Sequence, residues 1–439
     1  MKKLIYLLLA VLAMGATSCG DEPVHSISDN VKKVDVPETP TPPETPPVTP
    51  PSQFAFVSFT PEEVVANDAV NGFTLSFLNA VNACYYDTFE GVAKPGNYSV
   101  SPVSAAMCLA LSANSVDDAA TANIAKVLGY NDLATLNTTV GKLMEFLPCE
   151  ENGAIMSLAN SVWVHNEHTV DGSYINLMND LFKSDVTSVD MAAPETPSII
   201  NDWVSRKTNG LINDIVSDLN PQYVALMINA LYFAGEWDDK FDKSLTTEEV
   251  FNGTNGKPAV PMMHKKEIKP VDHTPNFEIV QLDFKGCTSM FFALPKEDVD
   301  ITDPSFRLTP DDMPGFLEPT ENHYGEFMNV DLSLPRFDTG SSSNLNKAMA
   351  ALGINCDNTT LSKMGINEQV VLNIRQKTST TVDEEGAIAA AATHNGWGSS
   401  NGQVIEYKDI VLSFNRPFMY YIMNTHTRSI LMAGRICNL

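Results

Sequence analysis

His165 and His168 are three residues apart, a spacing that could bring two imidazoles to one metal ion. They follow the strand-like run Ser161–Val164 and no carboxylate-rich helix accompanies them, so the sequence predicts a surface turn. Glu297, Asp298, Asp300 and Asp303 crowd together as calcium ligands do, but lack the central glycine a calcium loop needs, and a solvated loop is expected. Gly396-Trp397-Gly398 imitates a dinucleotide-binding turn without the following helix or the third glycine. No GxSxG nucleophile elbow, phosphate loop or HExxH motif is present. Asn97, Asn137, Asn252 and Asn358 open Asn-x-Ser/Thr sequons, read here as chance matches. A hydrolytic enzyme has no constellation behind it, and no metal or cofactor is implied.

The unusual chemistry lies in Glu384-Glu385-Gly386-Ala387-Ile388-Ala389-Ala390-Ala391-Ala392-Thr393. Alanine is the best helix former, so local propensity predicts a helix here, which Gly386 weakens. No charge occurs from Gly386 through Thr393. His394 to Gly402 is rich in Gly, Ser and Asn and reads as an exposed loop tip, and a strand-like run resumes at Ile410. Taken by itself, the segment is a short helix followed by a loop.

The elements that must position this segment are legible from periodicity. Helical spacing appears in Val70–Val81, where Phe73, Phe77 and Val81 share a face, and again in Val103–Leu111 and Ile199–Val216. Strand-like runs are Met227–Phe233, Ile279–Phe284, Met290–Leu294, Val330–Leu334, Val370–Ile374, Ile410–Phe414 and Phe418–Met423. Helices crowd the first half and strands the second, which predicts an α+β fold with large antiparallel or mixed sheets. From Phe54 to Leu439 no low-complexity break or internal repeat occurs.

Residues 1–53 are of another kind. Lys2 and Lys3 precede a thirteen-residue apolar run, Leu4 to Ala16, too short for a spanning helix of about 18 or more residues and in keeping with a signal peptide. Ala16-Thr17-Ser18-Cys19 resembles a bacterial lipobox, with Ala16 where leucine is usual, so Cys19 is the expected lipidation site. Asp21 and Glu22 follow, as in some lipoproteins sent to the outer face. Pro37 to Pro51 holds eight prolines in fifteen residues, a polyproline stalk of about 45 Å at ~3.1 Å per residue. The sequence therefore divides into a leader at 1–19, a Pro-rich tether at 20–53 and one domain at 54–439, lipid-anchored to the bacterial outer membrane.

Across 439 residues, 54 acidic side chains against 28 basic ones give a net charge of −26, which excludes a nucleic-acid footprint and polybasic membrane attachment. The lipid is then the sole membrane contact. Besides Cys19 there are Cys84, Cys108, Cys149, Cys287, Cys356 and Cys437, none in a CxxC pair, and buried free thiols are expected over disulfides.

The alanine tract and its loop resemble the hinge and reactive-centre loop of the serpins, the serine-protease-inhibitor fold. Further matches are Asn97-Tyr-Ser-Val-Ser101-Pro102-Val-Ser104, Asn201-Asp-Trp203-Val204 with Thr208-Asn-Gly210, and Asn229-Ala-Leu-Tyr-Phe233-Ala-Gly235-Glu-Trp237. Val260-Pro-Met-Met263, Phe292-Ala-Leu-Pro295, Leu334-Pro335-Arg336-Phe337, Leu352-Gly353-Ile354, Phe414-Asn-Arg-Pro417-Phe418 and Gly434-Arg435 follow in family order. The resemblance covers about 385 residues, essentially everything after the stalk.

It implies a large central sheet, two smaller sheets, eight or nine helices and an exposed loop over about 384–409. It implies a monomeric, metastable suicide inhibitor of extracellular serine, or cysteine, endopeptidases. The cleaved loop enters the central sheet as a new strand while the protease is held as an acyl-enzyme. The hinge is Glu384, Glu385, Gly386, Ala387, Ile388, Ala389, Ala390, Ala391 and Ala392. Ala387, Ala389 and Ala391 share one strand face, where a buried charge would be costly. About fifteen inserted residues would displace the protease by about 50 Å. Ser101, Ser104 and Asn229 match a hydrogen-bond cluster beneath the opening sheet. Gln376 stands there where the family often has histidine, so titration is lost and donor and acceptor capacity kept. Trp237 matches the residue where the loop first enters. Counting from Glu384 places the reactive bond at Ser400–Asn401. Counting back from Phe414 places it after Glu406, and Val404 and Tyr407 stay open. The loop is thus about six residues longer than the pattern. That length favours the alternative, a serpin-fold binding protein that does not trap proteases.

Overall fold

The computed structural model describes residues 61–387 and 406–439, apart from 85, 90–91, 147–148, 152–153, 209, 211, 218, 287, 314–324, 356–358, 371–373 and 425–427. The expected leader, Cys19 and the tether lie outside the described residues, as do Ser400, Asn401 and the stretch Ile388 to Ala392.

A seven-stranded mixed sheet forms the centre. Its strands are β13 (Phe337–Asn344), β16 (Ile374–Val382), β7 (Ala225–Glu236), β5 (Ala154–His165) and β4 (Cys149–Glu151), in that order. β6 (Asp185–Val189) pairs with β5, and the two-residue β17 (Gly386–Ala387) pairs with β7. A nine-stranded sheet runs β18 (Asp409–Ser413), β12 (Glu326–Pro335), β9 (Ala259–His273), β10 (Phe277–Asp283), β11 (Thr288–Pro295), β19 (Phe418–Asn424), β20 (Ser429–Ile436) and β3 (Tyr98–Val100), with β8 (Thr247–Val250) on β9. β1 (Tyr86–Phe89) with β2 (Val92–Pro95), and β14 (Thr359–Leu361) with β15 (Ile366–Val370), are separate ribbons. The two smaller sheets expected from the sequence are fused. The fifteen-residue β9 pairs along its length with β12 and reaches from β8 at one end to β10 at the other.

Seven α-helices are described: α1 (Pro61–Cys84), α2 (Pro102–Ala113), α3 (Asp118–Val127), α4 (Leu133–Phe146), α5 (Gly172–Phe182), α6 (Thr196–Lys207) and α7 (Asn346–Ala351). α2 starts where the Ser101 side chain accepts from the Ser104 amide and Pro102 occupies the first turn. α2 is buried throughout, behind the central sheet, and its residues join the main core with Met227, Leu231 and Phe233 of β7. The alternate β7 residues Leu226, Ile228, Ala230 and Ala234 face a second core containing Trp163, Ile200, Trp203 and Val204.

Two expected elements are corrected. The helical pattern at Ile199–Val216 ends at Lys207, because Gly210 adopts φ +80° and its amide bonds to the Ser205 carbonyl at 2.7 Å. Beyond it the Asn201 side chain accepts from the Ile215 and Val216 amides, holding an irregular linker whose apolar residues still pack inward. The apolar run Val370–Ile374 is not one strand: Val370 closes β15 and Ile374 opens β16.

Candidate functional site

The site is built where β16 ends and the chain turns back. Asp383 Oδ1 accepts from the amides of Glu385 (2.8 Å) and Gly386 (3.3 Å), and the Asp383 amide bonds the Gly386 carbonyl at 3.1 Å. This turn reverses the chain into β17, where Gly386 pairs antiparallel with Glu236 and Ala387 with Gly235. The helix that alanine propensity predicts does not include Gly386 and Ala387. Gly386 sits at φ +142°, and a Cβ there would lie 2.2 Å from the Gly235 carbonyl oxygen, so only glycine fits.

Below β17 the described strands leave one seam unpaired. β16 pairs with β7 only from Ile374 to Lys377, opposite Met227 to Ala230. From Thr378 to Val382, β16 pairs among the described residues with β13 alone. On β7, Leu231 to Ala234 pair with β5 on one side and, among the described residues, have no ladder partner on the other. A strand fed down from Ala387 would fill that row.

The top of the seam is latched by charge. Glu384 is 1% exposed, and its Oε1 accepts from Arg336 Nε (2.9 Å), Arg336 Nη2 (2.5 Å) and Thr246 Oγ1 (2.5 Å). Burial pushes the Glu384 carboxyl up, but these bonds outweigh it and hold the acid below its ordinary range. Glu385 accepts from Lys240 Nζ at 2.7 Å and from Lys243 Nζ at 2.6 Å, which together draw its pKa down to about 2. Trp237 is buried, stacked on Phe284 at 4.4 Å between ring centroids, and its indole N–H donates to the Asp383 carbonyl at 2.9 Å. Its backbone amide bonds the Glu385 carbonyl at 3.0 Å, so Trp237 holds both arms of the turn.

At the lower end of the seam the expected cluster is assembled. The Gln376 amide group donates to the Ser101 carbonyl and accepts from the Ser101 amide, both at 2.8 Å. Ser104 Oγ donates to Asn229 Oδ1, and Gln376 and Asn229 are cross-strand partners. Asn160 completes the group: its Oδ1 accepts from Asn229 Nδ2 at 2.5 Å and its Nδ2 donates to the Phe182 carbonyl at 3.1 Å. Sequence reading passed over Asn160, which stands directly before the strand-like run Ser161–Val164. It also passed over Thr246, Lys240 and Lys243, and it named Arg336 only within a family motif; their roles appear only when distant segments meet at Glu384 and Glu385.

His165 and His168 flank a turn, Asp300 and Asp303 cap Thr302 and Ser305, and the Asn97 side chain bonds the backbone of Cys437 and Asn438. Asn358 and Gly396-Trp397-Gly398 lie outside the described residues. Among the described residues no group of three His, Cys, Asp or Glu side chains could hold a metal ion, and no helix is long and apolar enough to cross a membrane. Cys108 is a buried free thiol, pushed by burial up to about 12, and Cys437 is buried as well.

Among the described residues the central sheet thus combines a row of β7 paired on one side, a turned-in hinge above it and a polar cluster below it. A family model described as Serpin (serine protease inhibitor) matches residues 70–439, and the chain belongs to that family. It is similar to Serpin A3-3 of Bos taurus, 28% identical over 396 residues, covering 86% of this chain and 93% of the relative. It is also similar to Antichymotrypsin-2 of Bombyx mori, 28% identical over 336 residues, covering 74% and 86%. Among solved structures, the thermophilic serpin Tengpin in the native state aligns with TM-score 0.71 at 23% identity, over 87% of this chain and 95% of that one. Thyroxine-binding globulin in complex with thyroxine aligns with TM-score 0.67 at 21% identity, over 86% and 98%. These two likenesses concern the fold.

Proposed function

We propose that this protein is an exported suicide inhibitor of extracellular endopeptidases, serine enzymes first and cysteine enzymes second, that traps them by inserting its cut loop between β7 and β16. The observation that carries the reading is β17, which occupies the first rung above the row Leu231 to Ala234, where β7 has no second ladder partner among the described residues. Continuing its register sets Ile388 opposite Ala234, Ala389 opposite Phe233, Ala390 opposite Tyr232, Ala391 opposite Leu231 and Ala392 opposite Ala230. Cross-strand partners share a face, so Ala389 and Ala391 would turn with Phe233 and Leu231 toward the main core. Small uncharged side chains suit that destination.

In the trapping step the protease's serine oxygen adds to the carbonyl carbon before the scissile bond. The amine of the next residue leaves with a proton, and the ester joins enzyme to loop. Insertion then carries the ester down the sheet before water reaches it. Nothing in this chain does catalytic work, and the protease supplies nucleophile and base. In the same reading residues 1–53 supply the leader, the lipidated Cys19 and a stalk that holds the monomeric domain off the bacterial outer membrane. The longer loop, together with the fold shared with thyroxine-binding globulin, supports the second reading of a non-trapping binder.

The test is a panel of elastase-like, subtilisin-like, chymotrypsin-like and papain-like proteases. Trapping gives a detergent-stable adduct and a released carboxyl-terminal peptide whose mass fixes the bond. Complete cleavage across the panel with no adduct would favour the binder.

A further inference from the structure

Lys243 and Thr246 hold the hinge acids, yet the segment that carries them buries no side chain of its own. Lys243 Nζ lies 2.6 Å from Glu385 Oε1, and Thr246 Oγ1 donates to Glu384 Oε1 at 2.5 Å. Phe241 and Phe251 are buried on either side, but none of residues 242–250 between them is, and Leu245 and Val250 are more than half exposed. β8 takes up the last four of these residues and is an edge strand, paired among the described residues with β9 alone. A short edge ladder with no face in the core specifies its register weakly.

Side chains supply the missing register. His264 of β9 stands opposite Ser333 of β12 and reaches Glu249 of β8. A ring carrying its proton on Nε2 donates to Glu249 Oε1 at 2.7 Å and accepts the Ser333 hydroxyl proton at Nδ1, at 3.2 Å. Thr247 Oγ1 donates to the same Glu249 oxygen at 3.0 Å. One imidazole therefore ties three strands together, with both ring nitrogens engaged. A slip of β8 by a single residue would carry Thr246 about 3.3 Å along the strand and turn its side chain to the other face, and its bond to Glu384 would be lost.

We propose that His264 and Glu249 are positioning residues: by fixing β8 on β9 they keep Thr246 and Lys243 on the hinge acids, and so keep β17 seated on β7 until the loop is cut. The seating concerns the intact protein alone. Its use in trapping, where a seated first rung lets insertion start without delay, rests on the reading above.

The experiment separates the two. The Trp237 amide donates to the Glu385 carbonyl at 3.0 Å and the Phe241 amide to the Glu384 carbonyl at 3.1 Å, so their hydrogen exchange reports the seating of the hinge. Exchange is followed in the uncut protein, with the amides of β10 as internal reference. In His264→Leu and Glu249→Leu the two hinge reporters should exchange about threefold faster, as befits a part-exposed polar pair, with the reference unchanged. His264→Gln, which can still donate to Glu249, should stay near the wild-type rate. Faster exchange confined to β8, an equal rise throughout the protein, or His264→Gln exchanging as fast as His264→Leu overturns the positioning role. A second arm uses a protease that forms a detergent-stable adduct with wild type, and the fraction cleaved without adduct should rise about twofold in His264→Leu. An unchanged fraction overturns the link to trapping. Hinge reporters that respond in a protein that forms no adduct with any protease leave the positioning role standing and remove the trapping reading.

Discussion

Arg336 and Glu384 meet through a single oxygen: both guanidinium donors converge on Glu384 Oε1, at 2.9 and 2.5 Å, with the Thr246 hydroxyl as third donor. Arg336 is 42% exposed and Glu384 is 1% exposed, so the arginine is the movable partner and the carboxylate the buried one. Removing the arginine strands a buried charge. Arg336→Met should lower the unfolding free energy by about 3 kcal/mol, at the low end for a broken buried pair because one member is open to solvent. A loss of unfolding free energy in urea of less than a quarter of that would show that the latch carries little.

The second latch has a pH signature. The lysines hold Glu385 well below the ordinary glutamate value of about 4.3. A lowered acid stabilises the fold above its unfolded pKa and loses that contribution as pH falls through its folded pKa. The stability difference between wild type and Glu385→Gln should be constant from pH 5 to 8 and shrink from about pH 4.3 downward, toward about 2. A difference that varies between pH 6 and 8 would assign the effect to another group.

Ala389 lies outside the described residues, and its expected rung opposite Phe233 faces the main core. Ala389→Arg should leave the uncut protein's melting curve in place and abolish the rise that follows loop cleavage, because insertion stalls at a buried charge. Retained detergent-stable adducts in this variant would contradict the insertion route.

Gln376 both donates to and accepts from the backbone of Ser101, a task that a neutral imidazole can share and an imidazolium cannot. Gln376→His would be buried and better tolerated neutral, which lowers the histidine pKa in the fold. Its stability should fall as pH drops below about 6.5, while wild type stays flat through that window. Parallel profiles from pH 5 to 8 would show that the cluster tolerates a cation.

Periodicity located α1, α2, β7, β10, β11, β12, β18 and β19, because each carries one strong apolar pattern over its length. It overran α6, since Ile212, Ile215 and Val216 keep a helical spacing while packing as an irregular linker beyond Gly210. Ser101, Ser104, Asn229 and Gln376 were readable through the family resemblance, and Glu384 to Ala387 stood out by composition. The partners of Glu384 and Glu385 were not readable: they come from two distant segments, 240–246 and Arg336, and a lysine's spacing in sequence says nothing of which carboxylate it will meet. Gly386 appeared as a flaw in a helix and is the residue that lets the chain pass beside the Gly235 carbonyl.

Because β17 fixes where pairing begins, β7 would act as a ruler for the proposed reaction. β7 is twelve residues long, and the register that starts at Gly386 and Glu236 exhausts it at Ala225, opposite Trp397. A cut after Ser400 leaves a three-residue overhang, whereas a cut after Glu406 leaves nine. A short leash keeps the captured enzyme pressed against the end of the sheet, and a long one lets it swing free and regain its shape. The length of one strand thus favours Ser400–Asn401 as the bond that makes a trap.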